Sequence, residues 1–233
     1  MLPDYDILFA DQAEKYDLLV AAEDFQGNLL QTLKRIGRLN REQTVADLGC
    51  GTGRIAYLLA PFVRHVYGVE PVAGMQRVAE AKKQALGVKN VDFFPGEHKD
   101  IPLPDNSIDL ITEGWAFLIS CSDIPSEWHP DFEAIVGEMK RILRPRGAVI
   151  FIETMGTFNI WKEVPSKAAE LYDYFERELC LKKTIIRTDY KFASLEEAVD
   201  LCTFFFGDEI GKEILRSGES VVPEETALWY GKL

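Results

Sequence analysis

The sequence predicts an α/β fold, a doubly wound and mostly parallel sheet with helices on both faces. Three observations predict it. Strand-like and helix-like segments alternate from residue 43 to residue 156. Each strand-like segment is short and apolar at successive positions, so neither face is wet, as expected of strands held between two helix layers. The first strand runs directly into "GCGTG", with glycines at 49, 51 and 53, and a turn of that kind bares backbone at the carboxyl end of a strand.

The elements follow in order. Residues 5 to about 37 have helical composition and end near Gly37. "QTVADLG" (43–49) is a buried strand stopped by glycine, and "RIAYLLAPF" (54–62) has helical spacing. "VRHVYGVEP" (63–71) is a second strand, closed by Pro71. "VAGMQRVAEAKKQALG" (72–87) is an amphipathic helix ending at a glycine. "VKNVDFFPGE" (88–97) supplies a third strand, and "HKDIPLPDNS" (98–107) is a loop, because two prolines break any ladder. A fourth strand opens "IDLITEGWAF" (108–117). "DFEAIVGEMKRILRPRG" (131–147) is a helix expected to stop at Pro145 and Gly147, and "AVIFIETMG" (148–156) is the fifth strand. Beyond it, 163–181 is helical, "KTIIRTDYKF" (183–192) is a strand, and "ALWYGKL" (227–233) is the last strand. "SLEEAVDLCTFFFG" (194–207) is a helix with a capping box, Ser194 followed by Glu197.

Composition narrows the function. The chain has 233 residues, 47% hydrophobic and 27% charged, with no run of 18 apolar residues, so no membrane span is expected. Its acidic start lacks the basic and apolar regions of a secretory leader. Four well-separated cysteines, Cys50, Cys121, Cys180 and Cys202, read as reduced thiols of a cytoplasmic protein. His65, His98 and His129 have no metal-ligand spacing, and no metal site is expected. A net charge of −12 argues against general nucleic-acid binding. The basic stretches "EMKRILRPRG" and "LKKTIIRTDYK" read more simply as solvated helix ends and strand edges.

The glycine turn carries the chemistry. A dinucleotide site wants G-x-G-x-x-G/A, but here the pattern is G-x-G-x-G, and the sixth position is Arg54. A long side chain there obstructs the helix–strand packing that the third glycine serves, which disfavours a nicotinamide dehydrogenase. A nucleotide without a pyrophosphate needs no such packing.

At "VADLGCGTGR", "VYGVEP", "GEHKDIPLPDNSIDLI" and "EMKRILRPRGAVIF" the chain resembles the class I S-adenosylmethionine-dependent methyltransferases, in particular their type 11 small-molecule branch. The resemblance covers about 43–156. It implies a Rossmann-like, seven-stranded sheet of order 3-2-1-4-5-7-6 with the last strand antiparallel. It implies one domain over 1–233: a helical cap (1–40), a cofactor-binding half (41–156) and a C-terminal half with substrate-side insertions (157–233). The implied cofactor is S-adenosyl-L-methionine, with S-adenosyl-L-homocysteine as product.

The resemblance also implies roles. Asp47 helps hold the methionine ammonium, Gly49, Gly51 and Gly53 let the cofactor pass, and Glu70, followed by Pro71, takes the ribose hydroxyls. Glu97 receives the adenine amino group, with the backbone of His98 beside it, and Met75 packs on the adenine or simply fills core. Glu113 stands where relatives meet the ammonium with backbone, so this carboxylate is a departure and faces cofactor or substrate. Methyl transfer from a sulfonium needs a nucleophile held in line, and a base only if it arrives protonated. Candidate bases are Glu113, His129 and Tyr190. Added aromatic segments make the substrate pocket, with Tyr5, Tyr16, Trp115 and Phe117 as candidates, and Trp128, Trp161 and Phe204 to Phe206 either lining it or packing as core. The acceptor is expected to be a small molecule. A tRNA or protein methyltransferase and a catalytically silent subunit are the alternatives. The N-terminal segment is either a lid over the strand ends or plain cover of the sheet.

Overall fold

The structure is a computed structural model that describes residues 4–117, 129–158 and 166–233. Three helices come first: α1 (Tyr5–Asp11), α2 (Ala13–Ala21) and α3 (Asn28–Ile36). Then strands and helices alternate: β1 (Thr44–Leu48), α4 (Arg54–Leu59), β2 (His65–Val69), α5 (Ala73–Leu86), β3 (Val91–Phe94), β4 (Ile108–Gly114), α6 (His129–Ile142) and β5 (Leu143–Thr157). The rest is α7 (Ser166–Arg177), β6 (Lys182–Arg187), β7 (Tyr190–Lys191), α8 (Leu195–Phe206), α9 (Asp208–Ser217), β8 (Val221–Val222) and β9 (Glu224–Gly231).

The main sheet has seven strands in the order β3-β2-β1-β4-β5-β9-β6. With the short β7–β8 ribbon set aside, that is the expected 3-2-1-4-5-7-6. The strands from β1 to β5 pair in parallel, and β9 runs antiparallel to both β5 and β6. β1 shows why its residues form a central strand. Successive side chains leave opposite faces, and both faces are covered. Val45 packs with Leu29, Leu33, Ile55 and Leu110, while Ala46 and Leu48 pack with Ile111, Met139 and Phe151. Each fully buried aliphatic of this kind contributes about 1.5–3 kcal/mol.

Three local expectations are corrected. The helix expected over 131–147 ends at Ile142, because Leu143 pairs with Ile108 before a register shift resumes the ladder at Leu110 and Ala148. The strand expected over 183–192 is two strands. Ile186 and Arg187 pair with β9, whereas Tyr190 pairs with Val222. The break lies at Asp189, whose Oδ1 accepts the Glu224 N–H at 3.0 Å and so draws the chain off the ladder. Helix α9 was not expected at all. The capping box of α8 forms as expected: Ser194 Oγ accepts the Glu197 N–H, and Glu197 Oε2 accepts the Ala193 N–H. No helix among the described residues is long and apolar enough to cross a membrane.

Helices α1 and α2 dock over the carboxyl-end side of the sheet. Ala13 packs with Met75 and Val78, and Phe9, Tyr16 and Val72 join them. Ion pairs Asp17–Lys82 and Lys15–Asp200 tie α2 to α5 and α8, though partly exposed pairs add little. The side chain of His129, and Trp128, Trp161 and Cys121, lie outside the described residues.

Candidate active site

The turn after β1 is built by backbone. Cys50 N–H donates to Val69 O at 3.1 Å and Gly53 N–H donates to Cys50 O at 2.8 Å. These bonds fold residues 49–53 over the carboxyl end of β2. Glu70, the first residue beyond β2, clamps the turn: Oε2 accepts the Gly51 N–H and Oε1 accepts the Val72 N–H, both at 2.9 Å. Each carboxylate oxygen keeps a second lone pair for a ligand. Burial pushes the Glu70 carboxyl up, against the two N–H donors that pull it down.

The glycines differ in what they face. A Cβ on Gly53 (φ 81°) would stand 2.7 Å from Tyr57 Cε2 and 2.9 Å from Phe93 Cζ, so this glycine makes room for protein rings. A Cβ on Gly51 (φ 53°) would meet nothing nearer than Tyr16 Cε1 at 3.9 Å, so its surface is bare. At Gly49 the neighbours are Ala116 and the His98 ring.

Around this turn several buried polar atoms have no hydrogen-bond partner among the described residues: Glu23 Oε1, Thr52 Oγ1, Arg54 Nη2, His98 Nε2, Glu113 Oε2 and Glu224 Oε2. Buried polar atoms are nearly always satisfied, so their concentration at one end of the sheet marks where a polar ligand or water belongs. A bare glycine, an acid beside it and orphaned atoms around it suit an adenosyl cofactor.

Other predicted residues are placed as follows. Asp47 is 1% exposed; Oδ1 accepts the Thr112 hydroxyl at 2.8 Å and Oδ2 the Ala56 N–H at 3.0 Å. It therefore braces β1, β4 and α4 against one another. Burial pushes its carboxyl up to about 7 despite those two bonds, with the Glu70 charge adding to the rise. Glu113 spends Oε1 on the N–H groups of Ala116 and Phe117 at 2.9 Å, which fixes the chain after β4, and burial with the nearby Glu153 raises it well above the usual carboxylate range. Burial lowers His98 to about 4, so its ring is neutral. Met75 is buried on α5, whereas Glu97 and Pro71 are exposed at the ends of β3 and β2. Phe117 is core: it is 4% exposed and packs against Phe132, Phe151 and Phe175. Tyr5 and Tyr16 both pack on Phe205 at 5.4 Å. Tyr190 is buried, which raises its hydroxyl well above its ordinary value, so it keeps its proton near neutral pH.

The sequence reading missed a second constellation. Arg54 Nη1 pairs with Glu23 Oε2 at 2.6 Å, and its guanidinium lies over the Trp115 ring at 4.5 Å. Burial lowers the Arg54 pKa, but the Glu23 charge and hydrogen bond together with the neighbouring Tyr190 and Tyr16 more than restore it. Glu224, at the start of β9, holds the Thr154 hydroxyl and is raised well above the carboxylate range by burial. Trp115 has φ 58°, a strained backbone for a bulky residue. The only hint in the sequence was Arg54 in the sixth position of the glycine turn.

Residues 46–151 match a family model described as a methyltransferase domain. The chain is 31% identical over 146 residues to an uncharacterized methyltransferase YcgJ of Bacillus subtilis, a match covering 62% of this chain and 53% of that protein. It is 30% identical over 172 residues to a demethylmenaquinone methyltransferase of Lactococcus lactis, covering 71% of this chain and 63% of the relative. A solved S-adenosylmethionine-dependent methyltransferase from Aquifex aeolicus superposes with a TM-score of 0.58 at 19% identity, covering 94% of this chain and 97% of that one. Residues 46–151 thus match a methyltransferase-domain family, and the sheet order is that of the S-adenosylmethionine-dependent methyltransferase fold seen in the Aquifex structure. The chain's matched part spans 53% and 63% of the length of the two curated relatives.

Proposed function

We propose that the protein binds S-adenosylmethionine at the Gly49–Gly53 turn and transfers its methyl group to a small-molecule acceptor. The observation that carries this reading is the bare face of Gly51 beside the Glu70 clamp. Glu70 is the residue to hold the ribose hydroxyls, since its two oxygens face a vicinal diol with lone pairs to spare. Tyr16, Val72 and Met75 supply apolar surface next to it, and His98 adds a neutral ring nitrogen with no partner among the described residues.

When bound, the cofactor supplies a methyl group activated by a sulfonium. The protein's share is placement and exclusion of water. Holding acceptor and donor in line supplies about 7–11 kcal/mol of the barrier. Asp47 and Glu113 serve that placement by fixing the chain after β1 and β4, rather than by moving a proton. Tyr190, protonated in its buried setting, is a donor rather than a base. The small-molecule acceptor is supported by the kind of substrate named for the Lactococcus relative, and by the aromatic surface of Tyr5, Phe9, Tyr16 and Phe205.

Calorimetry tests the reading. S-adenosylmethionine and S-adenosylhomocysteine are expected to bind and NAD to bind poorly. NAD binding without either adenosyl compound would overturn it.

A further inference from the structure

We propose that Arg54, Glu23 and Glu224 form the recognition site for the methyl acceptor, and that this acceptor is an uncharged, flat, hydroxyl-bearing ring. The proposal rests on the reading of the neighbouring turn as the cofactor site, because Arg54 directly follows Gly53. Its own evidence is separate.

Glu23, just after α2, and Arg54, at the start of α4, pair across 31 positions of sequence, and Glu224, at the start of β9, lies near enough to feel both charges. The Glu23 side chain is 3% exposed and Glu224 is 2% exposed. Among the described residues each keeps one oxygen without a partner, and Arg54 keeps Nη2 without one. An ion pair built only for stability would satisfy its own atoms, since orphaned polar atoms cost about 1–3 kcal/mol each. The spare groups define a pattern. Arg54 Nη2 is a donor, Glu23 Oε1 is an acceptor, and Glu224, which keeps its proton in this buried setting, offers a second donor. That pattern reads an oxygen acceptor beside a hydroxyl.

Charge selects further. Arg54 and Glu23 cancel and Glu224 is neutral, so the site has no surplus positive charge. A carboxylate or phosphate acceptor would sit beside the Glu23 carboxylate with its own charge uncompensated. Shape comes from rings. Trp115 covers one face of the guanidinium, which leaves its edge for a ligand. Tyr16 stands between the two sites: it lies over Gly51, and it feels the charges of Arg54, Glu23 and Glu70. Its ring continues into Phe9 and Phe205, both at 5.4 Å.

The test uses two probes of one shape, 2,3-dihydroxynaphthalene and 2-naphthoate. Each is titrated into the full chain with and without S-adenosylhomocysteine and followed by saturation-transfer NMR. The diol is expected to bind about tenfold or more tightly than the carboxylate. Glu23→Gln and Arg54→Lys are each expected to weaken the diol about tenfold, the loss of one hydrogen bond to a charged group. Their affinity for S-adenosylhomocysteine is expected to stay within about threefold of the parent. Should Arg54→Lys not fold by circular dichroism, the isosteric Glu23→Gln and Glu224→Gln carry the test. Equal or tighter binding of the naphthoate, no binding of the diol, or diol binding untouched in the folded variants would each overturn the proposal. Diol binding that depends on Glu23 and Arg54, with no S-adenosylhomocysteine binding, would overturn the cofactor reading and leave this site standing.

Discussion

Alanine at Gly51 and alanine at Gly53 are expected to fail in opposite ways. Both glycines have positive φ, 53° and 81°, and an L-residue there costs about 1–2 kcal/mol. At Gly51 that is the whole cost, because the new Cβ stands 3.9 Å from its nearest neighbour. At Gly53 the Cβ enters the Tyr57 and Phe93 rings at 2.7 and 2.9 Å, and overpacking adds about 1–3 kcal/mol. Gly51→Ala should therefore lower stability by about 1–2 kcal/mol and Gly53→Ala by about 2–5 kcal/mol. In a chain of this size each kcal/mol shifts Tm by about 2–4 °C. Binding should run the other way. The Gly51 methyl projects into the space proposed for the cofactor and should weaken S-adenosylhomocysteine about tenfold or more, while Gly53→Ala, if folded, should stay within about threefold. Urea unfolding and calorimetry on the two variants read both quantities. If Gly51→Ala binds as well as the parent, or Gly53→Ala loses affinity with its stability unchanged, the assignment of one glycine to ligand and the other to ring packing is wrong.

Glu70→Gln keeps size but turns an amide NH2 toward a backbone N–H of Gly51 or Val72, so it should weaken S-adenosylhomocysteine about tenfold or more by calorimetry with the fold retained by circular dichroism. Asp47 has a carboxyl raised from 3.8 to about 7, so the folded state holds its proton more tightly than the unfolded chain. The stability this contributes is fully present below about pH 4 and is lost as pH rises through about 7. Asp47→Asn can keep the Ala56 bond and give an N–H to Thr112, so it should be near neutral at pH 5 and stabilising by about 1–3 kcal/mol at pH 8 in urea melts, and equal destabilisation at both would contradict the assignment. Hydrogen exchange over residues 4–20 should slow when S-adenosylhomocysteine is added if α1 and α2 act as a lid; exchange already slow without it would make them structural cover.

The central alternation was legible because β1, β2 and β4 are short, largely buried runs that end at or just before glycine or an acid. The C-terminal third was less so. The stretch 183–192 has one continuous β composition, yet Asp189 divides it by a long-range bond to Glu224, and no local pattern announces that bond. Helix α9 follows α8 with only Gly207 between them, and its mostly polar sequence "DEIGKEILRS" carries no reading of its own in the sequence. The site divides the same way. Gly49 to Gly53 and Glu70 are local in sequence and stood out. That Asp47 is sealed by Thr112, that Gly53 faces Tyr57, and that Arg54 pairs with Glu23 are tertiary facts that only packing creates.

A crystal structure of the full chain with S-adenosylhomocysteine tests the central claim most directly. The account predicts the ribose hydroxyls within hydrogen-bond distance of the Glu70 carboxylate and the ligand passing over Gly51. A ligand bound elsewhere, or one over the turn whose ribose does not touch Glu70, would contradict it.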